Sequence, residues 1–399
     1  MSKQPKPFIK GYKYRIYPTT EQKQHFAQAF GNCRFVWNQL LAKSIKDYEA
    51  FKAGERSEKP AVSGIGLTYG VKALRNHPDY EWLKVVSSGF YQQTARDLGQ
   101  AFNSFFANVK KGAKPGYPKF KKKGSNSSFR APMGKFDIRG GRLRLEKCPG
   151  TVEVVFHREL PSTPSSCTVS RNAAGEYYVS FTCEFVPRVT NGQGKVGIDL
   201  GLTTYATLST GEKLDNPKWM RTSTSRLRRS QQSLSRKKLG SNNRNKAKHK
   251  VARIHNRVAN QRNDWQHNLS RTLVNENQVI GVESLRVVNM VKNRHLSKAI
   301  SDAAWSSFIQ KLLYKVEESQ HCELIMVGTF YPSSHLCSTT GRKLDRKLKL
   351  SERSFKCPYC DEVHDRDVNA AKNILTESLR LRGRVDAVKL KGATTILKG

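Results

Sequence analysis

From Phe8 to Tyr17 apolar and polar residues alternate, with Phe8, Tyr12, Tyr14 and Ile16 in step, which predicts a strand with one buried face. Pro18-Thr19-Thr20 ends it. Thr19 with Gln22 fits a capping box, opening a helix whose apolar side carries Phe26, Phe30, Cys33, Trp37 and Leu40. Residues 52–65 are Gly/Ser/Pro-rich and read as a loop. A second long helix is expected from about Ser87 to Val109, striped by Phe90, Leu98, Phe102, Phe105 and Val109, so residues 20–110 read as a helical bundle. From Phe129 to Val186 the pattern shortens to FDIRG, GRLRLEK, TVEVVFH, CTVSRN and EYYVSFTCEFV, with turns at Gly140-Gly141 and Ala174-Gly175. These runs predict a small β-barrel or sandwich, completed by the N-terminal strand.

The second half alternates strands with helices. Residues 195–209 read as strand, turn, strand. The region 221–271 has a helical apolar stripe of Val251, Ile254, Val258, Trp265 and Leu269. A strand over 278–283 ends in Glu283, a helix follows over 300–318, ELIMVGTFY is a further strand, and a last helix opens at Asp367. That order suits a mixed sheet with helices on its faces. Residues 379–399 form a basic tail with no clear stripe, and no tandem repeat is visible.

Charge changes the picture. The 399 residues include 71 Lys+Arg against 32 Asp+Glu, a formal charge of +39. Such an excess favours a polyanionic partner, because each neutralised phosphate releases counterions. It is concentrated in 221–271, where fifteen Lys/Arg face one acid, Asp264. Arg236, Lys237, Lys238, Arg244, Lys248 and Arg253 are candidate phosphate contacts there. The connector KKGAKPGYPKFKKKGSNSS adds Lys119, Lys121 and Lys122, with Tyr117 and Phe120 available for stacking. No apolar run approaches the roughly 20 residues that span a bilayer, and the N-terminus lacks a signal-peptide pattern. Cys33, Cys148, Cys167, Cys183 and Cys322 lie in apolar contexts and read as reduced packing residues, so a cytoplasmic location is expected.

Against this background three carboxylates stand out: Asp199 in KVGIDLGLTTYATLS, Glu283 in QVIGVESLRV and Asp367 in HDRDVNAAKNIL. Singly, an Asp at a strand end reads as a turn residue, Asp367 as a helix cap and Glu283 as an exposed side chain. In their order along the chain they suit a cluster at one edge of a mixed sheet. Two-metal phosphodiester cleavage needs such a cluster, with ions about 3.5–4 Å apart, and hard carboxylate oxygens favour Mg²⁺.

These segments resemble the TnpB family, RNA-guided nucleases encoded by bacterial insertion sequences. GIDLGLTTYATLS, IGVESLRVVNMVKNRHLSKAISDAAW and HDRDVNAAKNIL are similar to its three RuvC motifs, with Asp199, Glu283 and Asp367 as the acids and Asp367 selected over Asp365. WLKVVSSGFYQQTARDLGQAFNSFF and GYPKFKKK also resemble family segments. The resemblance implies a multidomain α+β protein. Its parts are a β-barrel wedge domain (1–19 and 120–190), a helical recognition domain (20–119), an RNase H-like RuvC domain (191–334 and 366–380), a zinc-ribbon-like insertion (335–365) and a basic tail (381–399). It also implies two Mg²⁺ ions, a guide RNA from the transposon end and double-stranded target DNA beside a short motif read by protein, for which Gln92 and Gln93 are candidates.

The chain departs from the family in the ribbon. Cys357-Pro-Tyr-Cys360 is intact, but its partner reads Cys337-Ser-Thr-Thr340, and threonine is a poor Zn²⁺ ligand. Cys337, Cys357 and Cys360 need a fourth donor, and His335 or His364 is available. A guide-directed repressor with little cleavage, a plain RNA-binding protein and a DNA-joining transposase remain alternatives.

Overall fold

The computed structural model describes residues 7–113, 116–124, 127–186, 191–349 and 351–384. The chain divides after Val186 into two compact units. Most of the expected tail, 385–399, lies outside the described residues; residues 381–384 belong to a helix. No helix among the described residues is long and apolar enough to cross a membrane.

In the first unit, β1 (Phe8–Tyr17) leads into a 33-residue helix, α1 (Thr20–Lys52), whose capping box forms as expected between Thr19 and Gln22. Three further helical segments follow: α2 (Gly64–Asn76), a 3-10 segment over Pro78–Val85 and α3 (Ser88–Lys110). Helix α2 lies where the sequence predicts the end of a loop and then no distinct element. Its glycines are poor helix formers, yet α2 packs closely on its neighbours: a Cβ on Gly70 would sit 2.5 Å from Leu40 Cδ2 of α1. A Cβ on Gly99 of α3 would sit 2.4 Å from the backbone N of Gly64.

The remaining strands are β2 (Ser127–Pro132), β3 (Phe136–Arg139), β4 (Arg142–Leu145), β5 (Thr151–Val155), β6 (Ser166–Arg171) and β7 (Tyr177–Phe185). They form one seven-stranded sheet in the order β2-β6-β7-β1-β5-β4-β3. The two edge strands are consecutive in the chain, joined by residues 133–135, so the sheet curls into a nearly closed barrel. Strand β1 is its centre, as the alternation predicts. Gly140 and Gly141, at φ of 54° and 73°, make the two-residue turn between β3 and β4. Barrel and helices share one core, where Phe129 stacks on Phe90 at 4.7 Å and meets Phe26 and Phe30.

The second unit is built on a five-stranded sheet in the order β10-β9-β8-β11-β12. The strands are β8 (Gly194–Leu200), β9 (Thr204–Leu208), β10 (Lys213–Asp215), β11 (Asn277–Glu283) and β12 (Glu323–Val327). Strand β8 is antiparallel to β9 but parallel to β11, which is parallel to β12. The basic region is two helices, α4 (Trp219–Ser235) and α5 (Asn242–Glu276). Gly240 turns the chain at φ +80° and Ser241 caps α5. The helix expected over 300–318 is also broken. After α6 (Val287–Met290) come α7 (Ser297–Ala303) and α8 (Trp305–Ser319), separated by Ala304 at φ 52°. Gln266 of α5 receives the break, donating to the carbonyls of Ala303 and Ala304 at 3.2 Å each. Strand β12 stops at Val327, short of the expected run. A hairpin, β13 (Ser354–Lys356) and β14 (Val363–Asp365), precedes the last helix, α9 (Arg366–Arg384).

Strand alternation decides which face does what. Val196, Ile198, Ile280 and Val282 join the core with residues of α5 and α8. Gly197 and Gly281 face α9 instead. A Cβ on Gly197 would sit 2.1 Å from the Ala371 carbonyl oxygen, and one on Gly281 2.2 Å from Ser378 Oγ. The two glycines let α9 lie directly on the strands. Gly197→Ala is therefore expected to lower the unfolding free energy, read from denaturant melts, by the about 1–3 kcal/mol of an overpacked core or more. An unchanged unfolding curve would show that α9 does not pack this closely.

Candidate active site and nucleic-acid interface

Asp199 and Glu283 stand two residues beyond Gly197 and Gly281, so all four positions point to the α9 side of the sheet. Both acids lie at the C-terminal ends of parallel strands, where open α/β sheets place their sites. Asp367 is in the first turn of α9. Its neighbour Asp365 has a different task. One Asp365 oxygen accepts the backbone N–H groups of Asp367 and Val368 at 3.0 Å each, and the other pairs with Lys213 at 2.6 Å. Asp365 is thus the cap of α9, while Asp367 projects from the turn it caps.

The three acids feel one another. Burial, then the charges of Asp367 and Glu283, push the Asp199 carboxyl up from 3.8 to about 7, against the opposing effect of Arg366. Burial also raises Glu283. Asp367 is held by cations: Arg366 donates to it at 2.9 and 3.1 Å, and Arg353 of the ribbon approaches to 3.6 Å. Burial first, and then the neighbouring acid charges, disfavour the bare Asp199 carboxylate.

The ribbon brings together Cys337, Cys357, Cys360 and His364, with all ligand atoms within 4.8 Å of one another. Cys337 Sγ lies 3.7 Å from Cys360 Sγ, and each lies 3.5 Å from His364 Nε2. A tetrahedral zinc with Zn–S of about 2.3 Å and Zn–N of about 2.0 Å has edges of about 3.8 Å (S–S) and about 3.5 Å (S–N). The donor set therefore fits Cys₃His, with His364 rather than His335 or Thr340 as the fourth member. Burial disfavours ionisation of Cys337, but donors from Thr340, Cys357 and Thr339 bring its thiol down to about 6. The other five cysteines are free thiols, four buried and Cys148 half-buried.

Some positioning residues were not expected. Asn369 and Asn373, one turn apart on α9, are buried. Both donate to the Leu336 carbonyl, at 2.7 and 2.8 Å, and Asn373 also to Ser333 O. They tie the Cys337 segment to the helix that carries Asp367. Their i, i+4 spacing was a visible signal.

The nucleic-acid candidates fare unevenly. Arg236, Lys237, Lys238, Lys248 and Arg253 are exposed on α5 and the turn before it. Arg244 instead donates to the carbonyls of Leu234 and Lys237 at 2.9 Å each, capping the end of α4. Lys119 and Lys122 are exposed. The Lys121 ammonium sits 3.8 Å over the Trp37 ring, and its backbone bonds to Asn38 in both directions. Arg244 and Lys121 thus spend their charged groups within the fold. Tyr117 packs edge-on against Phe102 and Phe105, while Phe120 is exposed. On α3, Gln92 is exposed and Gln93 donates to Asp97 at 3.1 Å.

With that geometry in place, similarity to known proteins defines the class. Residues 168–294 match a family described as "Probable transposase", and 305–374 match "Cas12f1-like, TNB domain". Residues 8–53 match "Helix-turn-helix domain", although here they form a strand and one unbroken helix. A protein of Streptomyces pristinaespiralis named "Putative RNA-guided DNA endonuclease" is 38% identical over 95% of this chain and 92% of its own length. InsQ of Escherichia coli K12, of the same description, is 29% identical over 92% of each. A chain in the cryo-EM structure of a Cas12f1-sgRNA-target DNA complex shares the fold, with TM-score 0.54 and 12% identity, covering 92% of this chain and 98% of that one. The chain belongs to the TnpB family.

Two predictions follow from the geometry. In metal-free protein Asp199 keeps its proton up to about 7, whereas an unfolded aspartate releases it near 3.8. The contribution of this group to stability is full below about 4 and is lost as pH rises through 7. Asp199→Asn should therefore melt above the parent at pH 8 and with it at pH 4; equal melting at both pH values would contradict the buried-charge account. In the ribbon, metal analysis of purified protein should find one zinc per chain in Thr340→Ala and a clear loss in His364→Ala. The reverse pattern would make Thr340 the ligand.

Proposed function

We propose that this protein is an RNA-guided DNA endonuclease of an insertion sequence, hydrolysing phosphodiesters at an RNase H-like RuvC site of Asp199, Glu283 and Asp367. The observation that carries the reading is that Asp199, raised to about 7 by its burial, also feels the charges of Asp367 and Glu283. The relatives named as RNA-guided DNA endonucleases, matched almost end to end, support the same activity. The hairpin β8–β9 beside the parallel strands β11 and β12 supports the RNase H-like assignment.

Asp199, Glu283 and Asp367 would hold two Mg²⁺ ions. Bound there, paired divalent ions lower the pKa of an attacking water and stabilise the leaving oxygen. The chain's own work is to set the donors. The glycines beneath the acids fix the depth of α9, Asp365 caps its first turn, and Arg353 and Arg366 balance Asp367 until a cation arrives. Cys337, Cys357, Cys360 and His364 would hold Zn²⁺ and stiffen the ribbon that carries Arg353.

The exposed cations Arg236, Lys237, Lys238, Lys248 and Arg253 are assigned to the phosphates of a guide RNA drawn from the transposon end, and of its hybrid with target. The barrel and helices of the first unit take the wedge and recognition roles, with Gln92 toward the duplex motif beside the target. Guide pairing then reads the remaining sequence, as in other RNA-guided effectors. The repressor alternative rested on an incomplete ribbon, and a donor set that fits Cys₃His removes its motive.

Purified protein carrying its RNA should cut a plasmid that matches the guide. Asp199→Ala, Glu283→Ala and Asp367→Ala should each lower cutting by at least about a hundredfold, the scale of lost electrostatic catalysis, while retaining RNA. Asp365→Ala should act through the stability of α9. Normal cutting by Asp199→Ala would refute the site.

A further inference from the structure

Phe330 is 87% exposed, the highest value among the large apolar side chains described. A lone exposed apolar residue is ordinary, but the setting of this one is not. It sits in a turn closed by the Tyr331 N–H to the Gly328 carbonyl at 3.0 Å. The turn is pinned on both sides. Thr329 Oγ1 donates to the Ser284 carbonyl at 2.9 Å, and the Tyr331 hydroxyl donates to Asn373 O at 3.3 Å. The Arg286 guanidinium lies over the Phe330 ring at 5.7 Å, and Arg286 has no carboxylate partner among the described residues.

Both residues belong to the acid edge of the sheet. Val327 is the register partner of Glu283, and the Ser284 N–H donates back to the Val327 carbonyl at 2.9 Å. Arg286 is three residues past Glu283 and Phe330 three past Val327. Three residues of chain span at most about 11 Å. An exposed aromatic face with a guanidinium beside it thus stands at the same sheet edge as Glu283, no more than about 11 Å of chain beyond its register partner Val327.

We propose that Phe330, with Arg286, is a stacking platform for an unpaired DNA base next to the scissile phosphate; the assignment rests on the nuclease reading above. Every base has a π-face that stacks on an aromatic ring, and a nearby guanidinium adds to the attraction. A base held there fixes the register of the strand, so that its phosphate rather than the neighbouring one faces Asp199, Glu283 and Asp367. The platform positions substrate and takes no part in bond making.

The test uses full-length protein with its guide RNA in the Asp199→Ala background. The bound target carries 2-aminopurine, scanned one position at a time along the target strand. Fluorescence should be quenched at one position or an adjacent pair, the quenching should vanish with Phe330→Ala, and Phe330→Trp should restore it. With Asp199 intact, Phe330→Ala should slow cutting roughly tenfold, on the scale of one lost stacking contact, and blur the cut over neighbouring phosphates; Phe330→Trp should sharpen it again. Quenching at no position, quenching and cutting unchanged by Phe330→Ala, or a loss that tryptophan does not restore would each overturn the platform. A parent complex that binds target without cutting it would count against the nuclease reading instead, and the fluorescence arm would still decide the platform.

Discussion

The start of α9 is the fixed point of the C-terminal unit. In four consecutive residues, His364 completes the sulfur–nitrogen cluster, Asp365 caps the helix, Arg366 pairs with the next residue and Asp367 presents its carboxylate. A shift of one residue would turn Asp367 about 100° around the helix. Asn369 and Asn373 anchor the Cys337 segment to the same helix, and Gly197 and Gly281 set how close it lies to the sheet. Cluster and acid thus share one helix start and the same anchors.

Electrostatics explains why so basic a protein keeps an acidic centre. The formal charge of +39 draws phosphate from every side, but a cation is needed where a phosphodiester is to be opened. Burial and mutual repulsion make the acids costly as bare anions, and Asp199 answers by keeping a proton to about 7. Arg366 and Arg353 supply part of the missing positive charge at Asp367. In the proposed site these arginines hold the place that a bound cation would take.

Much of this was legible in the sequence, for physical reasons. Alternation fixed β1 and the barrel strands, and the Thr19–Gln22 box fixed the start of α1, because both patterns are local. The acids stood out by their positions at strand and helix ends, with Asp367 chosen over Asp365 by the family resemblance. Less legible was whatever tertiary contacts decide. Helix α2 has glycines that read as loop until Gly99 is seen against Gly64. The break at Ala304 depends on Gln266, nearly forty residues earlier. Arg244 and Lys121 looked like surface cations, yet one caps α4 and the other covers Trp37. The choice of His364 over His335 required the hairpin that folds it back onto Cys337. One signal stood in the sequence unread: a glycine two residues before each strand acid, in Gly197-Ile-Asp199 and Gly281-Val-Glu283.

The central claim is that one pocket of oxygens holds a pair of hard cations. Anomalous scattering from crystals of the protein–RNA complex grown with Mn²⁺ addresses it without relying on activity. The account predicts two peaks about 3.5–4 Å apart among Asp199, Glu283 and Asp367, both weakened in Asp199→Asn. No peak there, or two peaks each bound by a single acid and too far apart to share a phosphate, would contradict it.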